Sequence, residues 1–381
     1  MIVNHTRGPA SSASSRARRS LTIGATLSLA LAATAMAAGA LFAPADNFDV
    51  GDDPESVAIA DFDGDGAGDL AVANRGDDDV SILLGDGAGD FDLDDDYAVG
   101  DEPQDIVAGR FNGDGAQDLA VANRMDDTVS VLLGLGNGTF KPARDRNVGS
   151  SPRALVVAAL NGDGKRDLAV ANFNDDDVSI LTGQGHGKFR RKADRNVGET
   201  PRGIAAADVD NDRRTDLAVV NDMDEDVSIL LGDGEGSFPV RRDFAVGSMP
   251  FSVTLSDFDD DGDSDFATQN SGDNNVSVRL GKGNGSFGAE ANYDVGANPF
   301  EIISAELNDD GNRDLAVSNA DDDDVSILLG KPNGTFEPAD DYAVDDFPIG
   351  LAVANVDGAD GRDLAVANAG TDNVSVLINE P

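Results

Sequence analysis

The chain has 381 residues, of which 72 are acidic and 28 basic, so its formal net charge is −44. A surface with this charge repels phosphate backbones, which argues against nucleic acid as a partner. The chain has no cysteine, which excludes disulfides, thiolate metal sites and thiol catalysis. Because 62 of the acidic residues are Asp and Asp suits turns and metal-binding loops better than helices, we expect the acidity to lie in loops.

The N-terminal segment differs in composition from the rest of the chain. Residues 1–45 contain four arginines and no acidic residue, and the stretch from Leu21 to Ala45 is uncharged. Ala38-Gly39-Ala40 and Ala43-Pro44-Ala45 both offer small-residue cleavage sites, and Arg18-Arg19 is typical of twin-arginine export. We therefore predict an export signal over residues 1–45 and a secreted or cell-surface protein, extracellular or periplasmic, with no membrane span after cleavage. The alternative is an uncleaved anchor, since about 20 apolar residues span a bilayer.

One acidic phrase then recurs seven times at a fixed interval of 49 residues. DFDGDGAGDL begins at Asp61, and related phrases begin at residues 110, 159, 208, 257, 306 and 355. A period of this length is typical of repeat architectures, in which each unit is one supersecondary piece.

Each repeat contains four short extended runs. In the first repeat they are Ser56–Ala60, Leu70–Ala73, Val80–Leu84 and Asp96–Val99, separated by Gly, Asp and Asn clusters. No segment after residue 45 has an apolar 3.6-residue period long enough for a helix. Each unit is therefore predicted to be a small antiparallel sheet of four strands.

Seven such units predict an all-β fold, a seven-bladed β-propeller of four-stranded antiparallel blades over residues 46–381. The last unit ends near Leu377 and lacks a fourth strand, whereas Asn47–Gly51 matches the fourth strand at Asp96–Gly100. We therefore expect the N-terminal strand to pair with the last blade and close the ring, which removes the open sheet edges.

The acidic phrase has the composition of a loop that binds a hard cation. Carboxylates recur at alternate positions from Asp61 to Asp69, around a glycine that permits a tight bend. Calcium takes 6–8 oxygen ligands, which carboxylates and a backbone carbonyl can provide. The loop is similar to the first nine positions of an EF-hand loop, without the flanking helices and the final Glu. Seven copies in register between strands predict Ca²⁺ as the cofactor.

The loop, the period and the Gly-rich turn from Gly85 to Phe91 resemble FG-GAP/VCBS-type repeats. Such repeats form the calcium-binding seven-bladed propeller of integrin α-subunits and of many exported bacterial proteins. The resemblance covers about residues 46–381, although the literal Phe-Gly…Gly-Ala-Pro string is absent. In that family the ligands are side chains at loop positions 1, 3, 5 and 9 and the carbonyl at position 7.

Carried onto this chain, the resemblance implies complete ligand sets in the first and fifth loops. These sets are Asp61, Asp63, Asp65, Ala67 and Asp69, and Asp257, Asp259, Asp261, Asp263 and Asp265. The fourth loop keeps the acids Asp208, Asp210, Asp212 and Asp216 but has Arg213 where glycine usually bends the chain.

The other four loops depart further from the pattern. The sixth offers Glu306, Asn308, Asp310, Asn312 and Asp314. The second and third have Arg110 and Ala159 at position 1, which leaves Asn112, Asp114 and Asp118, and Asn161, Asp163 and Asp167. The seventh retains Asn355, Asp357 and Asp363, with Ala359 at position 5. We expect calcium affinity to fall in roughly this order.

The residues favour a binding protein over an enzyme. His186 is the one histidine after residue 45 and lies on a Gly-rich turn, so a His-based triad has little support. The predicted function is a calcium-binding interaction or adhesion scaffold for a protein or cell-surface partner. The alternative is a lectin-like propeller, but sugar sites usually rely on aromatic platforms, and the chain has no Trp and three Tyr.

Overall fold

A computed structural model describes residues 40–380 of the chain. In this range the regular elements are 28 β-strands, arranged as seven four-stranded antiparallel sheets. The predicted all-β, seven-bladed propeller is therefore confirmed. Nearly all of the predicted export segment, residues 1–39, lies outside the described residues. The described part of the chain contains no helix long and apolar enough to cross a membrane.

The strands fall into four groups by their position in a blade. The innermost strands are β2 (Pro54–Ala60), β6 (Pro103–Gly109), β10 (Pro152–Ala158), β14 (Pro201–Ala207), β18 (Pro250–Ser256), β22 (Pro299–Ala305) and β26 (Pro348–Ala354). The second strands are β3 (Asp69–Asn74), β7 (Asp118–Asn123), β11 (Asp167–Asn172), β15 (Asp216–Asn221), β19 (Asp265–Asn270), β23 (Asp314–Asn319) and β27 (Asp363–Asn368). The third strands are β4 (Asp79–Gly85), β8 (Thr128–Leu132), β12 (Asp177–Gly185), β16 (Asp226–Leu231), β20 (Asn275–Arg279), β24 (Asp324–Leu328) and β28 (Asn373–Leu377). The outer strands are β5 (Phe91–Ala98), β9 (Arg144–Asn147), β13 (Lys188–Asn196), β17 (Val240–Ala245), β21 (Ala291–Asp294), β25 (Asp340–Ala343) and β1 (Asp46–Asp49).

The second strands form the densest part of the core. All six residues of β3 are buried, because neighbouring blades cover both faces of each sheet. Ala71 and Ile82 of the first blade, for example, lie in one apolar cluster with Leu119 and Val121 of the second. A strand buried on both faces needs a continuous run of apolar and small residues rather than alternation, which the Leu-Ala-Val-Ala runs provide.

The ring closes as the sequence predicts. β1 pairs antiparallel with β28, with Phe48 opposite Val374 and Asp49 opposite Asn373. The last sheet therefore has the order β1-β28-β27-β26 and takes its outer strand from the start of the propeller.

The contacts of the last blade begin before β1. Phe42 is 3% exposed, packs edge-to-face on Tyr342 with ring centroids 5.3 Å apart, and pairs with Asn379. It lies one 49-residue period before Phe91 and supplies the aromatic residue that the last blade lacks. Ala43-Pro44-Ala45 therefore belongs to the blade, and cleavage after Ala45 would remove Phe42 from it.

The up-and-down order of each blade creates two distinct faces. The acidic loops and the Gly-rich turns between third and outer strands share one face, where Gly138 N donates to Phe62 O at 3.0 Å. The loops between second and third strands share the other face with the blade-to-blade connections, where Asp52 N donates to Asp77 Oδ2 at 3.0 Å. We call these the acidic-loop face and the opposite face.

Candidate metal centres

In every blade the acidic loop joins the innermost strand to the second strand. In the first blade it runs from Asp61 to Asp69 and bends through left-handed backbone at Gly66, with φ 96°, a conformation that favours glycine. Arg213 holds the same position of the fourth loop with φ 68°. A non-glycine residue there costs about 1–2 kcal/mol, yet the fourth loop keeps the bend.

Three of the seven loops bring three carboxylates together. In each of these loops one oxygen from each of positions 1, 3 and 9 lies within 4.8 Å of the other two. The groups are Asp61, Asp63 and Asp69; Asp208, Asp210 and Asp216; and Asp257, Asp259 and Asp265. Oxygens that share one calcium ion at about 2.3–2.6 Å are at most about 5 Å apart, so each group has the spacing of a ligand set.

The fifth loop shows the clearest fit to a cation. Oδ1 of Asp257 and Oδ1 of Asp259 are buried and have no hydrogen-bond donor. A buried carboxylate oxygen without a donor costs free energy, on the order of 1–3 kcal/mol or more. A cation between the two oxygens would remove that cost, so the donor set of this loop suits a hard divalent ion.

The electrostatics of the same three loops also favour a cation. Burial, together with the nearby Asp259 and Asp257, raises the pKa of Asp265 to about 7. Burial likewise raises the pKa of Asp69 to about 6 and that of Asp216 to about 6, and neighbouring loop carboxylates act in the same direction. Like charges at close range disfavour ionisation, and a bound cation reverses that effect.

The position-9 aspartate also has a structural role. Asp69 is fully buried; its Oδ2 accepts from Phe62 N at 2.7 Å and its Oδ1 from Gly85 N at 2.9 Å. Asp118 repeats this in the second blade, with Phe111 N at 2.7 Å and Gly134 N at 3.0 Å. The carboxylate ties the acidic loop to the start of the Gly-rich turn. This role accounts for an acid at position 9 in all seven loops, with or without a neighbouring cluster.

The position-5 acids lie outside the three clusters and cap their own loops. Asp65 Oδ1 accepts from Ala67 N at 2.7 Å, and Asp261 Oδ1 accepts from Asp263 N at 2.8 Å. Asp212 accepts from Arg214 N at 2.9 Å and pairs with its guanidinium at 3.2 Å. Their assignment as ligands, like that of the position-7 carbonyls, stays a prediction.

The second and third loops balance their charge with their own side chains. Arg110 and Ala159, at position 1, are exposed. In the second loop Asn112 Nδ2 lies 3.3 Å from Asp118 Oδ1, so an amide contacts the carboxylate that a metal would otherwise bind. In the third loop Lys165 Nζ pairs with Asp163 Oδ2 at 3.0 Å. These loops have less need of a cation.

The sixth and seventh loops use their position-1 side chains as caps. Both oxygens of Glu306 accept backbone N–H groups, from Asp310 at 3.1 Å and Gly311 at 2.6 Å. The Asn355 amide donates to the carbonyl oxygens of Ala359 and Gly361. The Gly361 carbonyl is at position 7, so an amide occupies the direction from which a metal would approach it.

Sequence comparison finds one matching family model. The model described as FG-GAP-like repeat matches residues 61–121, 159–219 and 208–268. The matches begin at the first, third and fourth acidic loops. No curated protein sequence matches the chain.

Solved structures share the fold at low sequence identity. A crystal structure of BBS1N in complex with ARL6DN aligns with a TM-score of 0.64 and 14% identity, covering 89% of this chain and 97% of that one. Virginiamycin B lyase from Staphylococcus aureus aligns with a TM-score of 0.60 and 12% identity over 88% and 99% of the two chains. An Agrocybe aegerita lectin that recognises non-reducing terminal N-acetylglucosamine aligns with a TM-score of 0.55 and 17% identity, covering 89% of this chain and 96% of that one. At these identities the likeness concerns the fold alone.

Proposed function

The chain is a seven-bladed propeller built from FG-GAP-like repeats, and from this we propose that it is an exported, calcium-binding interaction scaffold without catalytic activity. The observation that carries the proposal is the carboxylate cluster that positions 1, 3 and 9 form in each of three acidic loops. The buried Oδ1 atoms of Asp257 and Asp259, which accept no hydrogen bond, also support the proposal. Bound there, Ca²⁺ would supply the positive charge that lets three acids share one loop.

The opposite face has the features of a partner-binding surface. Four of its loops expose large apolar side chains: Met125 is 60% exposed, Met223 66%, Met249 45% and Phe347 39%. Unbranched, polarizable methionines adapt to the shape of a partner, and all four side chains lie on loops of the same face. The propeller of BBS1N, which has the same fold, was crystallised in complex with ARL6DN. A protein partner on this face is therefore the primary candidate.

Export is supported by sequence alone. The segment before Leu41 combines arginines, an uncharged stretch and the small-residue cleavage site Ala38-Gly39-Ala40. The part after cleavage would meet a calcium-rich exterior, where sites of modest affinity fill.

A carbohydrate partner is the second candidate. The observation in its favour is the shared fold of the Agrocybe aegerita lectin. The lack of Trp counts against it, because sugar rings usually stack on large aromatic side chains. A glycan array probed with the full chain tests this candidate, and calcium-dependent binding to one glycan class would favour it over a protein partner.

A thermal melt with and without calcium tests the metal assignment. Calcium should raise the melting temperature of the full chain, since a site at 100 times its Kd contributes about 2.7 kcal/mol. The double variant Asp63→Ala, Asp259→Ala should lose most of that increase. The matched control Asn112→Ala, Asn161→Ala changes the same loop position in two loops without clusters and should keep it. Equal calcium responses in both variants would refute the assignment.

A further inference from the structure

The seven innermost strands enclose a central cavity of 430 Å³, within the range of small-molecule sites. Its wall includes the second residue of each innermost strand, one 49-residue register position seen in every blade. The fold does not fix this residue type, in contrast to the loop acids. Consecutive blades place Glu55, Gln104, Arg153, Arg202, Phe251, Phe300 and Ile349 there, so one arc of the wall is cationic and the next is aromatic.

Arg153 is the unmatched charge of the cationic arc. Three nearby arginines are paired with acids: Arg75 with Glu55 at 2.6 Å, Arg124 with Glu102 at 2.8 Å, and Arg202 with Asp222 at 2.6 Å. Within residues 40–380, no carboxylate lies within 4 Å of the Arg153 guanidinium, which donates from Nη1 to the neutral Gln104 Oε1.

The Nε atom of Arg153 is buried and has no hydrogen-bond partner. Arginine presents its donors as a planar fork that matches a carboxylate, and a buried donor left unpaired is costly. Burial and the nearby Arg124 and Arg202 lower the pKa of Arg153 to about 10, so the group is charged at neutral pH.

The aromatic arc is continuous with the cationic one. The Arg202 guanidinium lies 4.1 Å from the Phe251 ring centroid, and Phe251 meets Phe300 edge-to-face with centroids 5.1 Å apart. The guanidiniums of Arg153 and Arg202 also lie over Phe173, at 5.0 and 5.1 Å. Phe173 follows β11, so this end of the cavity lies at the opposite face, away from the acidic loops.

Two carboxyl groups farther along the wall limit how deep an anion can bind. Burial raises the pKa of Asp105, and burial together with Asp105 raises that of Glu301 to about 8. Glu301 is therefore mainly neutral at pH 7, while Asp105 accepts hydrogen bonds from Leu155 N at 2.8 Å and Ser56 Oγ at 3.0 Å. An anion therefore has a favourable electrostatic interaction at the arginine end of the cavity and has none near Asp105 and Glu301.

We propose that the central cavity binds an organic carboxylate with an aromatic body, its carboxylate on Arg153 and its body against Phe251 and Phe300. The carboxylate satisfies the unpaired Nε, and the body removes apolar ring surface from water. The site is independent of the acidic loops, since its residues come from the innermost strands and from the opposite face.

Titration of the full chain with 2-naphthoate tests the proposal, with neutral 2-naphthamide as the matched probe. Binding is measured by calorimetry, once in calcium and once in EDTA. We expect 2-naphthoate to bind at least about tenfold more tightly than the amide, because the carboxylate gains a charge-assisted bidentate contact. Arg153→Gln should lower the affinity for 2-naphthoate by about tenfold or more. Arg190→Gln, at an exposed arginine of β13, should leave that affinity unchanged.

A second variant covers the case in which Arg153→Gln fails to fold. Arg153→Lys keeps the charge and loses the planar guanidinium. It should therefore weaken the binding of 2-naphthoate while leaving the melting temperature close to that of wild type. The proposal fails if wild type does not bind 2-naphthoate, if the amide binds equally well, or if every Arg153 variant that folds binds 2-naphthoate as tightly as wild type does. A failure here with calcium binding intact leaves the metal assignment standing.

Discussion

The acidic loops of the first and second blades share a backbone position but differ in what their side chains do. Both bury a position-9 aspartate that accepts two backbone N–H groups. In the first loop Asp61 and Asp63 complete a carboxylate cluster with Asp69, whereas the second has Arg110 and Asn112 in their places. The repeat therefore needs the position-9 acid for its fold, and positions 1 and 3 decide which loops can bind a metal.

The largest expected effect separates the structural role from the metal role. Asp118→Asn replaces a buried acceptor of two backbone N–H groups in a loop without a cluster. We expect it to destabilise the protein by about 1–3 kcal/mol, because an amide nitrogen then faces a donor. The loss should appear equally in EDTA and in calcium, measured by denaturant unfolding. Asp114→Asn in the same loop is the control and should cost much less, since Asp114 is exposed. A loss seen in calcium alone would instead make Asp118 a ligand.

A gain-of-site variant sharpens the same comparison. Arg110→Asp with Asn112→Asp gives the second loop the acids of the first at positions 1 and 3. We expect one additional calcium ion per chain and, at tenfold excess over its Kd, about 1.4 kcal/mol of extra stabilisation. Calorimetric stoichiometry measures the additional ion. Arg110→Ala with Asn112→Ala is the control and should add none. If the acidic variant binds no more calcium than wild type, position 1 and position 3 are not the deciding positions.

The smallest expected effect concerns pH. In the metal-free protein the pKa of Asp265 is raised to about 7, above the roughly 3.9 of an unfolded chain. This group therefore contributes stability that is complete below about pH 4 and is lost as the pH rises through about 7. Asp259→Asn removes a neighbouring charge and should flatten that decline, changing the melting temperature by roughly 2 °C at pH 8 in EDTA. Parallel pH profiles for wild type and variant would show that Asp259 does not act on Asp265.

The sequence was sufficient for the repeat, the four-stranded blade and the closing strand, because turns and strands are local and the period repeats them. It did not separate the two roles of position 9, since the same residue, aspartate, serves both as a buried hydrogen-bond acceptor and as a metal ligand. Phe42 was assigned to the export segment because residues 21–45 are uncharged. Its spacing of one period before Phe91 was the signal that could have placed it in the last blade. The cavity wall has no local signature, since its residues come from seven different blades.

The stoichiometry of calcium binding tests the central claim most directly. Titration calorimetry of the full chain should give three tight sites, one for each carboxylate cluster. The single variants Asp63→Ala, Asp210→Ala and Asp259→Ala should each remove one site, and Asn112→Ala should remove none. Seven equivalent sites, or a count that the three cluster variants leave unchanged, would contradict the account.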